Sequence, residues 1–152
     1  MPDPILFDSV TSRLALPMLF AGQAQKEAFV NEALARIDAL LHCAAEGTRN
    51  DPPLAPQDGE TWLIGSVPTG DWLGKAGQLA CRQSGQWLYA SPRDGMRVLD
   101  RSTGTEMRYA DGWGTAATIT PPTGGTTVDT QARAVLTSMI SALAGAGIVI
   151  QG

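Results

Sequence analysis

The stretch that decides the fold of this chain is QLACRQSGQWLYA, residues 78–90. Its two halves are rich in β-forming residues, and Ser84-Gly85 lies between them, where a tight turn needs residues that tolerate a positive φ. Trp87 and Tyr89 are two residues apart, so they point to the same face of the second strand. The stretch therefore predicts an antiparallel hairpin with two aromatic rings on one face.

Similar short β-rich runs precede and follow this hairpin. Gly, Asp, Ser and Pro separate them at short intervals, as in a protein that turns after every strand. The runs are ETWLIG (60–65), MRVLD (96–100), TEMRYA (105–110) and GWGTAATI (112–119). Residues 52–119 are therefore predicted to form one small antiparallel β-meander.

A helical pattern occupies residues 23–45. Its main apolar positions follow a heptad seam about two repeats long, and further apolar residues widen that seam. The seam residues are Val30, Leu34, Ile37 and Leu41. The helix could pack on its own domain, on copies of itself, or on both.

A second helix is predicted within residues 129–152, after a linker rich in Pro and Gly at 120–128. Asp129 is placed to cap its first turn, and Gly145 is placed to end it. Its seam contains Leu136, Met139 and Leu143, which again step by three and four residues. We expect both seams to form contacts between copies of the chain.

Residues 1–22 contain prolines among apolar residues and are predicted to form an extended arm. The arm would lie across its own domain or a neighbouring copy. Gln25 is in the first turn of the predicted helix, where backbone N–H groups lack partners. Asn31 is next to the seam residue Val30. We expect these two polar residues to fix the arm to the helix and the helix to a neighbouring copy.

The composition excludes several classes of protein. A chain of 152 residues is the size of one domain, and only 17% of its residues are charged. The net charge is −4 without any run of Lys or Arg, so a nucleic-acid partner is not expected. No apolar run reaches the roughly 18 residues of a membrane span. The N-terminus lacks the pattern of a secretory signal, so we expect synthesis in a cytoplasm.

The residues that usually carry catalysis are sparse. His42 is the only histidine, and its neighbour Cys43 would point to a different side of the helix. Cys43 and Cys81 lack the spacing of a metal or redox motif, and no nucleotide-binding signature is present. We therefore predict no enzyme, cofactor or metal site. Glycan hydrolysis is the enzymatic alternative, but no acid/base pair stands out.

The aromatic residues of the β-rich region allow two interpretations. All four tryptophans lie between residues 62 and 113, where they could fill the core of a small sheet. They could also stack against the C–H faces of sugars, with polar neighbours binding the hydroxyl groups. For that second interpretation the candidate carbohydrate-binding residues are Trp72, Trp87, Tyr89, Asp71, Gln86 and Arg82.

With these motifs the chain resembles domain-of-unknown-function family 2793, which occurs in tailed phages and in gene transfer agents of alphaproteobacteria. The resemblance covers most of residues 11–100. It is carried by TSRLALPMLFAGQAQKEAFVNEALARIDAL (11–40), PPLAPQDGETWLIG (52–65), GDWLG (70–74) and GQWLYASPRDGM (85–96). Residues 128–149 resemble a short helical segment at the ends of many phage fibre proteins.

The resemblance implies a virion component, either a head spike or a tail fibre, that is assembled in the host cytoplasm. It implies no catalytic residue, because none is assigned for the family. Fibre proteins are usually homotrimers, whereas a protein at a capsid vertex would match a pentamer. We therefore expect an α+β subunit of a homo-oligomer that attaches a receptor-binding element to the particle, with other virion proteins as partners. The alternative is direct binding of host surface polysaccharide.

Overall fold

The computed structural model of the chain describes Thr11, Arg13, Met18, residues 27–125 and residues 128–152. Within these residues there are two helices, α1 (Glu27–Leu40) and α2 (Thr130–Gly145). The strands are β1 (Ala44–Ala45), β2 (Thr48–Arg49), β3 (Thr61–Ile64), β4 (Leu79–Gln83), β5 (Gln86–Ala90), β6 (Arg97–Asp100), β7 (Thr105–Tyr109), β8 (Trp113–Gly114), β9 (Thr118–Ile119) and β10 (Ile150–Gln151). The predicted α+β class is confirmed.

The hairpin at residues 78–90 forms one side of the first sheet, whose strand order is β2-β3-β4-β5, so that β5 is an edge strand. β4 and β5 are antiparallel, with Cys81 opposite Leu88. Ser84 and Gly85 connect them, with φ values of 48° and 73°. Both residues adopt the left-handed conformation that a two-residue hairpin turn requires. The predicted hairpin and its turn are confirmed.

The second sheet has the order β1-β6-β7-β8, and β9 pairs with β10 separately. Three of the strand pairs, β1/β6, β2/β3 and β9/β10, are parallel. The strand pairs formed within residues 52–119 are antiparallel, as predicted, but they lie in two sheets, so the prediction of one meander is wrong. The sheets are mixed because strands from outside that range add the parallel pairs. The segment after α1 explains the difference, because its two-residue strands β1 and β2 each join a different sheet as a parallel edge strand.

The first helix is shorter than predicted. α1 ends at Leu40 instead of Ala45, and residues 23–26 lie outside the described part of the chain. His42 has a φ of 50°, which a continuing helix does not allow. Ala44 and Ala45 then pair with Leu99 and Asp100 of β6. Pairing with the second sheet, which the local pattern does not reveal, ends the helix early.

The core lies on both faces of the first sheet. Between the two sheets are Cys43, Ala45, Leu63, Leu79, Val98 and Met107. On the same face of the first sheet, α1 packs through Ala35 and Ala39 against Cys81 and Leu88. Trp72, which ends a short 3-10 turn, packs on the opposite face with Ile64 and Ala80.

The C-terminal helix begins and ends where the sequence predicts. The Asp129 carboxylate accepts a hydrogen bond from the Ala132 backbone N–H at 2.9 Å, and α2 ends at Gly145. The apolar tail that follows contributes β10, with Ile150 opposite Thr118 of β9. Of the predicted arm at 1–22, only Thr11, Arg13 and Met18 are described, so its extended form lies outside the described residues.

Candidate functional site

In α1 the polar side faces the core and the apolar side faces solvent, which is the reverse of an ordinary surface helix. Its inward side consists of small or polar residues, and Asp38 in the middle of that side is 1% exposed. Its outward side is apolar, with Phe29 79% exposed and Ile37 51% exposed. A surface helix normally turns its apolar side to the core. We call the outward residues Phe29, Val30, Ile37 and Leu40, together with Leu41 directly after the helix, the α1 stripe; all five are exposed.

A remote arginine holds the polar inward side in place. The Arg13 backbone N–H donates to the Asp38 carboxylate at 2.9 Å. Its guanidinium donates to the carbonyl oxygens of Ala39 at 3.1 Å and His42 at 3.0 Å, and also to those of Asp38 and Leu41. The last carbonyl groups of a helix lack partners within it and favour a positive charge. Arg13 therefore closes the C-terminal end of α1.

The inward side of α1 also fits closely against the sheet. Ala35 and Ala39 are small enough to let the helix backbone approach Cys81 and Leu88. On its flank, Arg36 bonds to Glu32 at 2.7 Å and to the Tyr89 carbonyl oxygen at 2.8 Å, which ties the helix to β5. The orientation of α1 is therefore fixed by several contacts, and its large apolar side chains are left to point away from the core.

The second helix also presents an apolar side to solvent. Only Ile140 among the residues of α2 is classed as buried, and Met139 is 55% exposed. No charged residue occurs from Ala134 to the end of the sequence at Gly152. We call the exposed apolar residues Val135, Leu136, Met139 and Leu143 the α2 stripe.

The predicted oligomer-interface residues fall into four groups. Six of them are exposed: Val30, Ile37, Leu41, Leu136, Met139 and Leu143. Leu34 is half-buried. Asn31 is buried inside its own chain, where it has a polar or electrostatic partner, so the expectation that it flanks the seam toward a neighbouring copy is wrong. Gln25 lies outside the described residues.

The outer face of the first sheet carries three pairs of a cation and an aromatic ring. Arg49 lies over Trp62 at 5.3 Å, Arg82 over Trp87 at 5.1 Å, and Lys75 over Tyr89 at 5.0 Å. The strand register explains this, because Trp62, Ala80 and Tyr89 are direct cross-strand neighbours and Arg82 is opposite Trp87. Such contacts are favourable and hold the cations close to the sheet.

One of the predicted carbohydrate-binding residues is inaccessible. Trp72 is 0% exposed and packs edge-on against Trp87, with ring centroids 5.2 Å apart. It is a core residue, so the expectation that its ring stacks on a sugar is wrong. Trp87, Tyr89 and Arg82 are half-buried, whereas Asp71 and Gln86 are exposed. The structure thus places five of the six candidates on accessible surface.

One tyrosine and two cysteines in or next to this sheet have raised pKa values. Burial, followed by the charge of Asp71, raises the pKa of the Tyr89 hydroxyl, which donates to the Asp71 carbonyl oxygen at 2.8 Å. Burial raises the pKa of the Cys43 thiol to about 11 and also raises the pKa of Cys81. Both cysteines are therefore neutral thiols at pH 7, and neither is prepared to act as a nucleophile.

The described residues contain no group of three or more His, Cys, Asp or Glu side chains that could hold a metal ion. His42 is exposed in the turn after α1, beside the buried Cys43. Neither α1 nor α2, the helices of the described part, has the length and hydropathy of a membrane span.

Comparison with known proteins identifies the family of the chain. No curated protein matches the chain. One family, described as a protein of unknown function (DUF2793), matches residues 30–115, which is more than half of the 152 residues. This region contains most of α1 and all strands from β1 to β8. The chain therefore belongs to the DUF2793 family.

Proposed function

We propose that the protein is a structural subunit of a phage-like particle. In this proposal it forms a homo-oligomeric head spike or tail fibre and attaches a receptor-binding element to the particle. The observation that carries the proposal is the α1 stripe, because the described residues of a single chain leave this apolar side of the helix exposed. The resemblance to phage and gene transfer agent proteins supports the place of assembly.

The energetics of the α1 stripe favour burial in an assembly. Burying one Val, Leu, Ile or Phe side chain stabilises by about 1.5–3 kcal/mol. Five such residues lie together in the α1 stripe, so their burial could offset much of the cost of association. Turning the helix over would bury the stripe in the core of its own chain. That rotation would, however, break the contacts of Arg13 with Asp38 and with the carbonyl oxygens of Ala39 and His42.

The mass of the purified protein in solution tests the oligomeric part of this proposal. Size-exclusion chromatography with light scattering should give a multiple of the 16.0 kDa subunit mass, with three copies favoured. Ile37→Glu should lower that mass, because it places a charge in the α1 stripe. The matched control is Leu54→Glu, which changes an exposed leucine in a loop and should leave the mass unchanged. A wild-type monomer at tens of micromolar would contradict the proposal.

The particle itself tests the structural role. Antibody labelling of purified particles, viewed by electron microscopy, should place the protein at the vertices of the head or on the tail. Particles made without the gene should lack the receptor-binding element but keep their DNA. If wild-type particles do not contain this protein, the structural role is refuted, even if the purified protein is an oligomer.

Direct binding of host surface polysaccharide is a second proposed function, and the outer face of the first sheet favours it. The Trp87 and Tyr89 rings are half-buried neighbours, and Arg82 and Lys75 beside them make no ion pair with any described residue. An aromatic ring next to a free cation suits a sugar with polar substituents.

Binding of purified host polysaccharide to wild type and variants tests this second function. Arg82→Gln and Trp87→Ala should each weaken binding, since they remove a polar contact and a stacking surface. Arg101→Gln is the matched control, because it changes an exposed arginine in the turn after β6, away from the outer face of the first sheet. Equal binding by all four proteins would reject the sheet face as a sugar site.

A further inference from the structure

We infer that the outer face of the second sheet binds an acidic peptide segment of a partner protein through Arg108. Neither the proposed oligomer nor the proposed sugar site uses this surface. It is built from alternate residues of β6 and β7, whose inward residues Val98 and Met107 are buried in the core. We call the four exposed residues of these two strands the β6/β7 face: Arg97, Leu99, Glu106 and Arg108.

The strand register places two positive charges directly opposite each other. Arg97 on β6 is the cross-strand neighbour of Arg108 on β7. Like charges in this position destabilise a sheet. The Glu106 carboxylate bonds to the Arg97 guanidinium at 3.0 Å, and no ion pair among the described residues includes Arg108. Arg108 therefore lacks a counter-charge in the described part of its own chain.

The structure also leaves room beside Arg108. Its cross-strand neighbour on the other side is Gly114 of β8, which has no side chain. A recess of about 310 Å³ lies there, with Arg108, Glu106 and Gly114 in its lining. A second recess of about 480 Å³ lies between the β6/β7 face and the end of α2, and both arginines line it. Arg108 thus borders open space on two sides.

Apolar side chains accompany the arginines in the second recess. Leu99 is 41% exposed on its floor, and Ile148, after the end of α2, is 59% exposed on its wall. The described residues that line the two recesses include no Phe, Tyr or Trp on which a sugar could stack. The planar fork of arginine bonds a carboxylate through two parallel hydrogen bonds. A peptide with a carboxylate next to an apolar side chain fits these surroundings better than a sugar does.

The charge of the chain favours a short acidic segment over a long polyanion. The net charge is −4, so a partner that covered much of the surface with negative charge would be repelled. The β6/β7 face is a local exception, since its two arginines outnumber its one glutamate. A segment with one or two carboxylates would balance that excess, with its apolar side chain against Leu99 or Ile148.

Titration of the full chain with short peptides, followed by NMR, tests this site. The probe is a capped hexapeptide of alternating glutamate and leucine, and the matched probe carries glutamine in place of glutamate. The glutamate peptide should shift the backbone signals of the β6/β7 face and of residues 145–148. The glutamine peptide should bind about tenfold more weakly, because it lacks the charged hydrogen bonds. Arg108→Gln should weaken binding of the glutamate peptide by a similar factor. The matched control is Arg82→Gln, which changes an arginine without an ion pair on the first sheet and should leave peptide binding unchanged.

Gly114 allows a second test that keeps Arg108. A Cβ at this position would lie 3.6 Å from the Arg108 carbonyl oxygen, which is an ordinary van der Waals contact. Gly114→Glu should place a carboxylate opposite Arg108 and weaken peptide binding at least as much as Arg108→Gln does. Gly114→Gln has the same size without the charge, so it should weaken binding less.

Four results would overturn the inference. Equal binding of the two peptides would mean that leucine contacts, and not carboxylates, determine binding. Unchanged binding by Arg108→Gln, or loss of binding by Arg82→Gln, would place the site elsewhere. If polyglucuronate shifts the signals of the β6/β7 face and the glutamate peptide does not, the ligand is an acidic sugar polymer. If neither probe shifts these signals at millimolar concentration, the face does not bind carboxylates.

Discussion

The first sheet and the helix that covers it distribute their side chains in opposite ways. The β4/β5 hairpin turns Leu79, Cys81 and Leu88 inward and carries Arg82 on its outer face. α1 turns Asn31 and Asp38 inward and Phe29 and Ile37 outward. The hairpin is complete in a single chain, because its apolar side is covered. The helix is complete only if something else covers its stripe.

Apolar side chains therefore contribute in different ways in these two regions. An apolar side chain of the hairpin stabilises the fold of one chain, whereas in the proposed oligomer one in the α1 stripe stabilises contacts between chains. Measurements of unfolding and of association should therefore respond to different residues. The four predictions below concern unfolding, and each uses the Ile37→Glu background, which we expect to be monomeric, at fixed protein concentration, since association would otherwise add to the apparent stability.

Replacement of Leu88 by alanine should have the largest effect. It removes a buried side chain between β5 and α1, and such changes cost about 2–5 kcal/mol of unfolding free energy. Val30→Ala, a change of the same kind in the α1 stripe, should cost within about 0.5 kcal/mol. Urea unfolding followed by circular dichroism measures both. Equal losses would show that the stripe is part of the core of a single chain.

The sequence was sufficient to predict the hairpin because its signals are local. Ser84-Gly85 specifies the turn, and the alternation of residues on β4 and β5 specifies the faces. The strands β1 and β2 were beyond prediction, since each has two residues without a β-forming pattern and is held only by its pairing with β6 or β3.

The orientation of α1 was beyond prediction for a different reason. A heptad seam of apolar residues normally indicates the side of a helix that faces its own core. Asn31, Ala35 and Asp38 follow the same four-and-three spacing on the other side. What selects that side is Arg13, 25 residues away from Asp38 in sequence, and no local pattern reveals that contact. The burial of Trp72 was likewise undetermined, because a tryptophan beside a turn suits either a core or a binding face.

Alkaline pH should destabilise the protein through Cys43, whose thiol lies in the core between the sheets. Its pKa is about 11 in the folded chain and 9.0 without burial, so the unfolded chain loses the proton first as the pH rises. Stability is then fully present below pH 9.0 and falls as the pH rises to about 11. A difference of this size corresponds to about 2–3 kcal/mol. Cys43→Ala should remove this part of the pH dependence, and an identical alkaline profile in both proteins would contradict a buried thiol.

Replacement of Arg13 by alanine should have a similar or smaller effect, because it opens the C-terminal end of α1. Hydrogen bonds to charged groups contribute about 1.5–3 kcal/mol, and the guanidinium donates several to backbone carbonyl oxygens at the end of α1. Arg13→Lys keeps the charge but lacks the planar fork, so it should recover only part of the loss. Hydrogen exchange should show faster opening of residues 36–42 than of β4 and β5. Uniform acceleration across the chain would mean that Arg13 supports the whole fold and does not specifically hold α1.

Replacement of Asp129 by alanine should have the smallest effect, and it shows how differently the two helices are held. Asp129 caps α2 from the adjacent residue, and loss of such a cap costs about 0.5–2 kcal/mol. Because α2 buries only Ile140 of its residues in its own chain, that cost should appear as local fraying of its first turn and leave the global unfolding midpoint nearly unchanged. Asp129→Asn, which can still accept the bond from Ala132, should fray less. If Asp129→Ala lowers the global midpoint as much as Arg13→Ala does, α2 is coupled to the sheets as strongly as α1, and its stripe is not independent of the core.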